Sequence, residues 1–124
     1  MSTRVLLVED DTLTRRNIAM YLRRAQLEVD EAANGEEAIR LITSIDDYDV
    51  VVSDLRMPGL IDGMDVISCQ QRVSPRTLCI LVTAFGSNQL QQRARTQSVV
   101  YLEKPVILAD LLGKVVASPR NPLP

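Results

Sequence analysis

Short apolar runs alternate with longer amphipathic segments along most of the chain. "RVLLV" at 4–8 and "VVVS" at 50–53 are apolar almost throughout, as strands covered on both faces of a parallel sheet should be. "TLCILVT" at 77–83 and "VVYL" at 99–102 read the same way, and "LEVDEA" at 27–32, with acids interleaved, reads as a weaker strand at a sheet edge. Between them the period changes to that of a helix. Within 12–25, Ile18, Leu22 and Ala25 fall at i, i+4 and i+7, one buried stripe of a helix. Asn34, with Glu37 three residues on, resembles a capping box and starts a second helix. Met64 and Ile67 mark a third helix, and Leu108, Leu111 and Val115 a fifth. The fourth, "SNQLQQRART" at 87–96, offers only Leu90 and Ala94 as an inward stripe, so it packs lightly and is the helix freest to move.

Five strand-then-helix repeats in this length predict an α/β fold, a doubly wound parallel sheet with right-handed crossovers. In such sheets ligands bind at the carboxyl ends of the strands, near the point where strand order reverses. The first run is followed by Glu9-Asp10-Asp11. The third delivers Asp54 at its own end, within "VVSDLRMPG" at 51–59. The fourth ends in Thr83, and the fifth leads into Glu103-Lys104-Pro105.

If the first and third strands are neighbours, at least three carboxylates crowd one rim. Two unit charges about 4 Å apart repel by about 4 kcal/mol at an effective dielectric near 20, so the cluster needs a cation or raised pKa values. Hard oxygen ligands beside open space suit Mg2+. Lys104 adds a positive charge and Thr83 a hydroxyl, ringing Asp54 with groups that stabilise a phosphoryl oxygen. A carboxylate so placed is a nucleophile. Each piece alone is commonplace, and an acidic pair after a strand often includes a helix N-cap, a role open to Asp11. The joint occurrence, in order and each at a strand end, carries the reading.

At 124 residues the chain fits one domain, assigned to 1–117, with "SPRNPLP" at 118–124 as a linker or frayed C-terminal tail. Hydrophobic residues at 46% and charged residues at 24% are the balance of a globular protein. The chain has no histidine, which removes the commonest general base and every Ser-His or Cys-His nucleophile pair. A formal net charge of −2 gives no field to hold nucleic acid, and Arg15-Arg16 and Arg23-Arg24 read as solvated charge on the outer face of the first helix. Cys69 and Cys79 have neither disulfide nor zinc spacing and read as core thiols. No apolar run approaches the roughly 18 residues of a membrane span, and "MSTRVLLVEDD" turns acidic where a signal peptide stays apolar; the expected location is the cytoplasm.

These residues resemble the receiver domain of two-component response regulators. "LLVEDD" followed by "RR", "VVSDLRMPG", "LVTAFG" and "YLEKP" match that family's signatures in order, over residues 4 to about 117. The resemblance implies a flavodoxin-like five-stranded sheet in order 2-1-3-4-5 with five helices. It implies a phosphoryl group received from a phosphohistidine on a sensor histidine kinase or phosphotransfer protein, and a requirement for Mg2+. Carried over, Asp54 is the phospho-acceptor, Asp10 the direct metal ligand, and Glu9 a ligand through water. The backbone carbonyl of Arg56 completes the protein's share of the coordination. Thr83 bonds the phosphoryl oxygen, Lys104 pairs with it, and Tyr101 is the switch aromatic that turns inward. The donor histidine then belongs to another protein.

Four places depart from the family pattern. "PGLIDG" at 58–63 is one residue longer than the common form, and Thr96-Gln97-Ser98 replaces Ala-Gly-Ala, which puts a left-handed turn on a less suitable residue. The fifth helix opens without a Ser, Thr or Asp cap, and Gly113 inside it costs up to about 1 kcal/mol against Ala. Arg56 and Phe85 flank the path of an attacking water, which predicts slow self-dephosphorylation. Helix 87–96, strand 99–102 and helix 106–117 form the expected bistable face for a homodimer or an effector. A phosphatase of the haloacid-dehalogenase type wants a second Asp two residues after its nucleophile, where Arg56 stands. A flavodoxin's first loop must cradle a phosphate that Glu9-Asp10-Asp11 would repel. A degenerate receiver, acting only as a binding module, would lack one of the site residues, and none is lost.

Overall fold

The computed structural model describes residues 2–45 and 47–117, so the expected tail at 118–124 lies outside the described residues. The elements follow one another as β1 (Arg4–Val8), α1 (Thr12–Arg24), β2 (Glu28–Ala32), α2 (Gly35–Ile45), β3 (Val50–Asp54), α3 (Gly63–Val73), β4 (Leu78–Thr83), α4 (Asn88–Thr96), β5 (Val100–Glu103) and α5 (Leu108–Val116). The strands form one parallel sheet in the order β2-β1-β3-β4-β5. β2, the run with interleaved acids, lies at an edge as expected.

Because successive side chains in a strand point to opposite faces, each apolar run feeds two cores. Val5 and Leu7 of β1, with Val50 and Val52 of β3 and Ile80 and Val82 of β4, face α1 and α5 and pack with Ile18, Leu22, Leu111 and Val115. Leu6, Val8, Val51 and Leu81 face the other way, onto Ile42, Met64, Ile67 and Ala94 of α2, α3 and α4. Cys69 and Cys79 are free and buried there, and burial pushes the Cys79 thiol up to about 12. In α1, Ala19 joins Ile18 and Leu22 in the buried stripe, while Ala25 is the half-buried C-cap.

The helix ends show what the side chains near them do. Asn34 Oδ1 accepts from the Glu37 backbone N–H at 2.8 Å, the half of the box expected from sequence. α3 has a full capping box, in which Asp62 and Asp65 each accept the other's backbone N–H. Ser87 caps α4, and α5 starts at Ile107 with no side-chain cap. Ala94 is the buried residue of α4, in line with its thin stripe. Its C-terminal end is nevertheless tied down: Gln97 accepts from Gln71 Nε2 through its carbonyl at 2.7 Å, donates to Ser68 Oγ at 3.3 Å, and accepts from Arg93 Nε at 3.2 Å. The left-handed turn falls on Ser98, with φ of 59°.

Candidate functional site

Sheet order reverses at β1, between β2 and β3, and the loops leaving the carboxyl ends of β1 and β3 open side by side there. Ser53 is the register partner of Val8, so Glu9 and Asp54 leave adjacent strands at the same level. One carboxylate oxygen from each of Glu9, Asp10 and Asp54 lies within 4.8 Å of the other two. Glu9 is buried, Asp54 half-buried and Asp10 exposed.

Lys104, one residue past β5, reaches across to this group. Its Nζ donates to Glu9 Oε1 at 2.9 Å and to Asp54 Oδ2 at 3.0 Å. Burial opposes the lysine's charge, but its hydrogen bonds to both carboxylates, together with their negative charge, outweigh it and raise its pKa. Asp10 is also raised, by partial burial first and then by its hydrogen bond to Glu9 and that residue's charge. Asp11 takes the simpler role: it is the N-cap of α1, accepts from Thr14 N at 2.9 Å, and is lowered chiefly by the Thr14 hydroxyl. Three hard oxygen donors this close, in a partly open setting, fit a small divalent cation such as Mg2+.

The remaining expected residues surround the acids at varying remove. Thr83 ends β4 beside Asp54's strand; it is buried, and its hydroxyl accepts from Phe85 N at 2.9 Å. Its carbonyl accepts from Lys104 N at 3.0 Å, which ties the end of β5 to β4. Tyr101 is the register partner of Leu81 on β5. Its ring packs against the core shared with Leu90, and its hydroxyl is buried with no hydrogen-bond partner among the described residues. It lies so near Gly86 that a Cβ there would sit 1.7 Å from the Tyr101 oxygen. Arg56 is exposed and its guanidinium stacks on Phe85, 4.6 Å from the ring centroid. The two residues expected to flank the acceptor thus touch one another. In the loop between β3 and α3, Gly59 has φ of +99°, and Leu60 is 98% exposed. A Cβ on Gly63 would come within 2.2 Å of the Asp54 carbonyl oxygen, so only glycine lets α3 begin this close to the end of β3.

A cavity of about 570 Å3 between α1 and α5 reaches Asp54 and Lys104, and its wall includes Ile18, Val106 and Leu111. On the other side a shallower groove of about 790 Å3 is bordered by Arg56, Phe85, Leu90 and Arg93. Sequence reasoning missed one contributor. Arg15, read as solvated charge, is mostly buried and donates to the Glu9 carbonyl at 2.9 Å. The spacing of an arginine one turn into a helix that opens on acids was the only available signal.

Acids, lysine and threonine at the strand ends of a 2-1-3-4-5 sheet can be compared with known proteins. The family model described as "Response regulator receiver domain" matches residues 5–116. The transcriptional regulatory protein PdtaR of Mycobacterium tuberculosis is 37% identical over 116 residues, 90% of this chain and 54% of that protein. The transcriptional regulatory protein ResD of Bacillus subtilis is 41% identical over 123 residues, 96% of this chain and 49% of that protein. The chain thus spans about half the length of these relatives. A crystal structure of a response regulator receiver domain protein from Clostridium thermocellum superposes with a TM-score of 0.85 at 27% identity, covering 94% of this chain and 93% of that one. Among the described residues no helix is long and apolar enough to cross a membrane. With a match running from the second residue of β1 to the last of α5, on a sheet of the expected order, the chain belongs to the receiver domains of two-component response regulators.

Proposed function

We propose that Asp54 is the phospho-acceptor of this receiver domain, taking its phosphoryl group from a phosphohistidine on a sensor histidine kinase or phosphotransfer protein. The observation that carries this is the pairing of Asp54 with Lys104 at 3.0 Å beside Glu9 and Asp10. In the transfer, the P–N bond breaks as the P–O bond to Asp54 forms. The electron pair stays on the imidazole nitrogen, which takes a proton from solvent. Hydrolysis later returns free Asp54 and inorganic phosphate, so the domain promotes both its own phosphorylation and its own dephosphorylation.

Glu9, Asp10, Asp54 and the backbone carbonyl of Arg56 are the groups assigned to hold Mg2+. When bound, Mg2+ supplies charge neutralisation for phosphoryl oxygens. Lys104 neutralises a further oxygen, and Thr83 gives up its bond from Phe85 N to donate its hydroxyl to the phosphoryl group. Tyr101, whose ring is already packed inward under Gly86, is assigned as the switch aromatic that follows Thr83. The face built from 87–117 passes the change to a homodimer partner or an effector, with the cytoplasm as the setting. The regulatory names of the half-matched relatives favour an output in gene control.

The test is labelling with acetyl phosphate and with a phosphorylated histidine domain. Wild type acquires acid-labile phosphate and Asp54→Asn does not; undiminished specific labelling of the variant refutes the assignment. Labelling that persists fully in excess EDTA counts against the metal.

A further inference from the structure

We infer that Arg15 is a positioning residue for the acidic pocket: it fixes the plane of the Glu9–Asp10 peptide from behind, and so sets where the two carboxylates converge on a divalent cation. The inference rests on the reading of these acids as cation ligands given above.

Side chains in a helix lean toward its N-terminus, and Arg15, one turn into α1, leans back under the loop that carries the acids. Its Nη1 donates to the Glu9 carbonyl at 2.9 Å, while its Nε donates to Glu31 Oε1 on β2 at 3.2 Å. The other oxygen of Glu31 accepts from Arg23 Nη1 at 3.0 Å, and Arg23 Nη2 donates to the Val29 carbonyl at 2.7 Å. Glu31 is thereby braced from two positions on α1, and Arg15 is held by it. The Arg15 side chain is 14% exposed, against 48% for Arg23, so it is the interior member of the pair. The backbone of Glu9 is gripped from the other side as well, its N–H donating to the Ala32 carbonyl at 3.0 Å. Because a peptide unit is planar, fixing the Glu9 carbonyl also fixes the departure of Asp10. The two acids contributed by this loop are placed through the bond from Arg15, without Arg15 touching the ion.

Charge and geometry make opposite predictions for its removal. As a nearby positive charge, Arg15 disfavours a cation, so electrostatics alone would tighten Mg2+ binding on neutralisation. As a brace, its loss lets the loop relax and weakens binding. Residues that orient metal ligands typically account for about 10–100-fold in affinity; we expect the lower end for Arg15→Gln, which acts through backbone.

The experiment is calorimetric Mg2+ titration of wild type, Arg15→Gln, Arg15→Lys and Glu31→Gln, alongside labelling by acetyl phosphate at varied Mg2+. Arg15→Gln is expected to bind Mg2+ about tenfold more weakly. Arg15→Lys should fall between, since a lysine reaches the carbonyl but cannot hold both partners in one planar fork. Glu31→Gln, which keeps the carbonyl bond and loosens the brace, should lose less than Arg15→Gln. The half-saturating Mg2+ for labelling should rise in step with the rate at saturation retained, a split that partial unfolding does not produce. Unchanged or tighter Mg2+ binding by Arg15→Gln overturns the inference, as does a lower saturating rate with no shift in half-saturation. If wild type itself binds no Mg2+, the reading of the acids falls with it, whereas equal binding by wild type and variant sinks the role of Arg15 alone.

Discussion

Lys104→Met removes the cation that pairs with the Glu9 and Asp54 carboxylates while keeping an apolar stem of similar length. The lysine sits 2.9 Å from Glu9 and 3.0 Å from Asp54, whose side chains are 4% and 11% exposed. At an effective dielectric near 20, each contact is worth about 5–6 kcal/mol of gross attraction. Without the lysine, Glu9 and Asp54 face one another within 4.8 Å, a repulsion of about 3–4 kcal/mol on the same scale. These gross figures overstate the net effect, because Lys104 is itself 28% exposed and gives up hydration to reach the pocket. Exposed pairs contribute about 0–1 kcal/mol, while breaking a buried pair costs about 3–5. Lys104 lies between, so the variant should lose about 1–3 kcal/mol in metal-free buffer at neutral pH. Since the folded-state pKa of Lys104 is raised, its contribution is in full force at neutral pH, well below the ordinary lysine range, and on the alkaline side fades as pH climbs through the raised value. The assay is urea unfolding followed by circular dichroism, in EDTA and in saturating Mg2+, with the slope checked for constancy. Mg2+ should narrow the deficit, because a cation among the acids takes over part of the neutralisation. A variant as stable as wild type in EDTA, or a deficit identical with and without Mg2+, would refute the electrostatic reasoning.

Asp10→Asn should behave in the opposite sense. With its pKa raised in the fold, Asp10 favours the native state only when protonated, so the variant should match wild type below the ordinary value of 3.8 and be the more stable protein as pH rises, provided no divalent ion is present; a variant destabilised at neutral pH in EDTA contradicts this. If the stacked pair Arg56 and Phe85 acts as the expected shield over the acceptor, replacing both with alanine should speed loss of phosphate from the labelled protein several-fold; an unchanged decay rate ends that idea. Gly113→Ala meets nothing within 4 Å among the described residues and should stabilise by up to about 1 kcal/mol. Gly63→Ala, whose Cβ would clash with the Asp54 backbone, should destabilise by about 1–3 kcal/mol or more. Thermal unfolding of the two glycine variants in opposite directions is the check.

Strand and helix positions were legible because each apolar run had to supply two buried faces and each helix one stripe, which left the period of the sequence little freedom. The grouping of the candidate residues was legible for a related reason: Glu9, Asp10, Asp54, Thr83 and Lys104 each stand at or just past a strand end, so topology alone brings them to one rim. What the sequence did not disclose were contacts set by side-chain reach. Arg15 and Arg16 are equivalent as letters, yet one bends under the acidic loop and the other faces solvent. The Asp62–Asp65 box hides in an acidic stretch that lacks the usual Ser or Thr and Glu. The hold on Gln97 joins residues as many as 29 positions apart, beyond any local periodicity. The stacking of Arg56 on Phe85 bridges two loops, and only their separate nearness to Asp54 could be inferred.

The amide hold on Gln97 makes α4 a lever with its fulcrum at one end. Nine residues at about 1.5 Å of rise give an arm of about 13 Å, clamped to α3 at the bottom and lightly seated elsewhere. Any tilt is therefore smallest at Gln97 and largest at Ser87, the tip nearest Thr83 and the stacked Phe85. Amide hydrogen exchange along the arm should accordingly run as a gradient, slow at the clamp and fast at the tip.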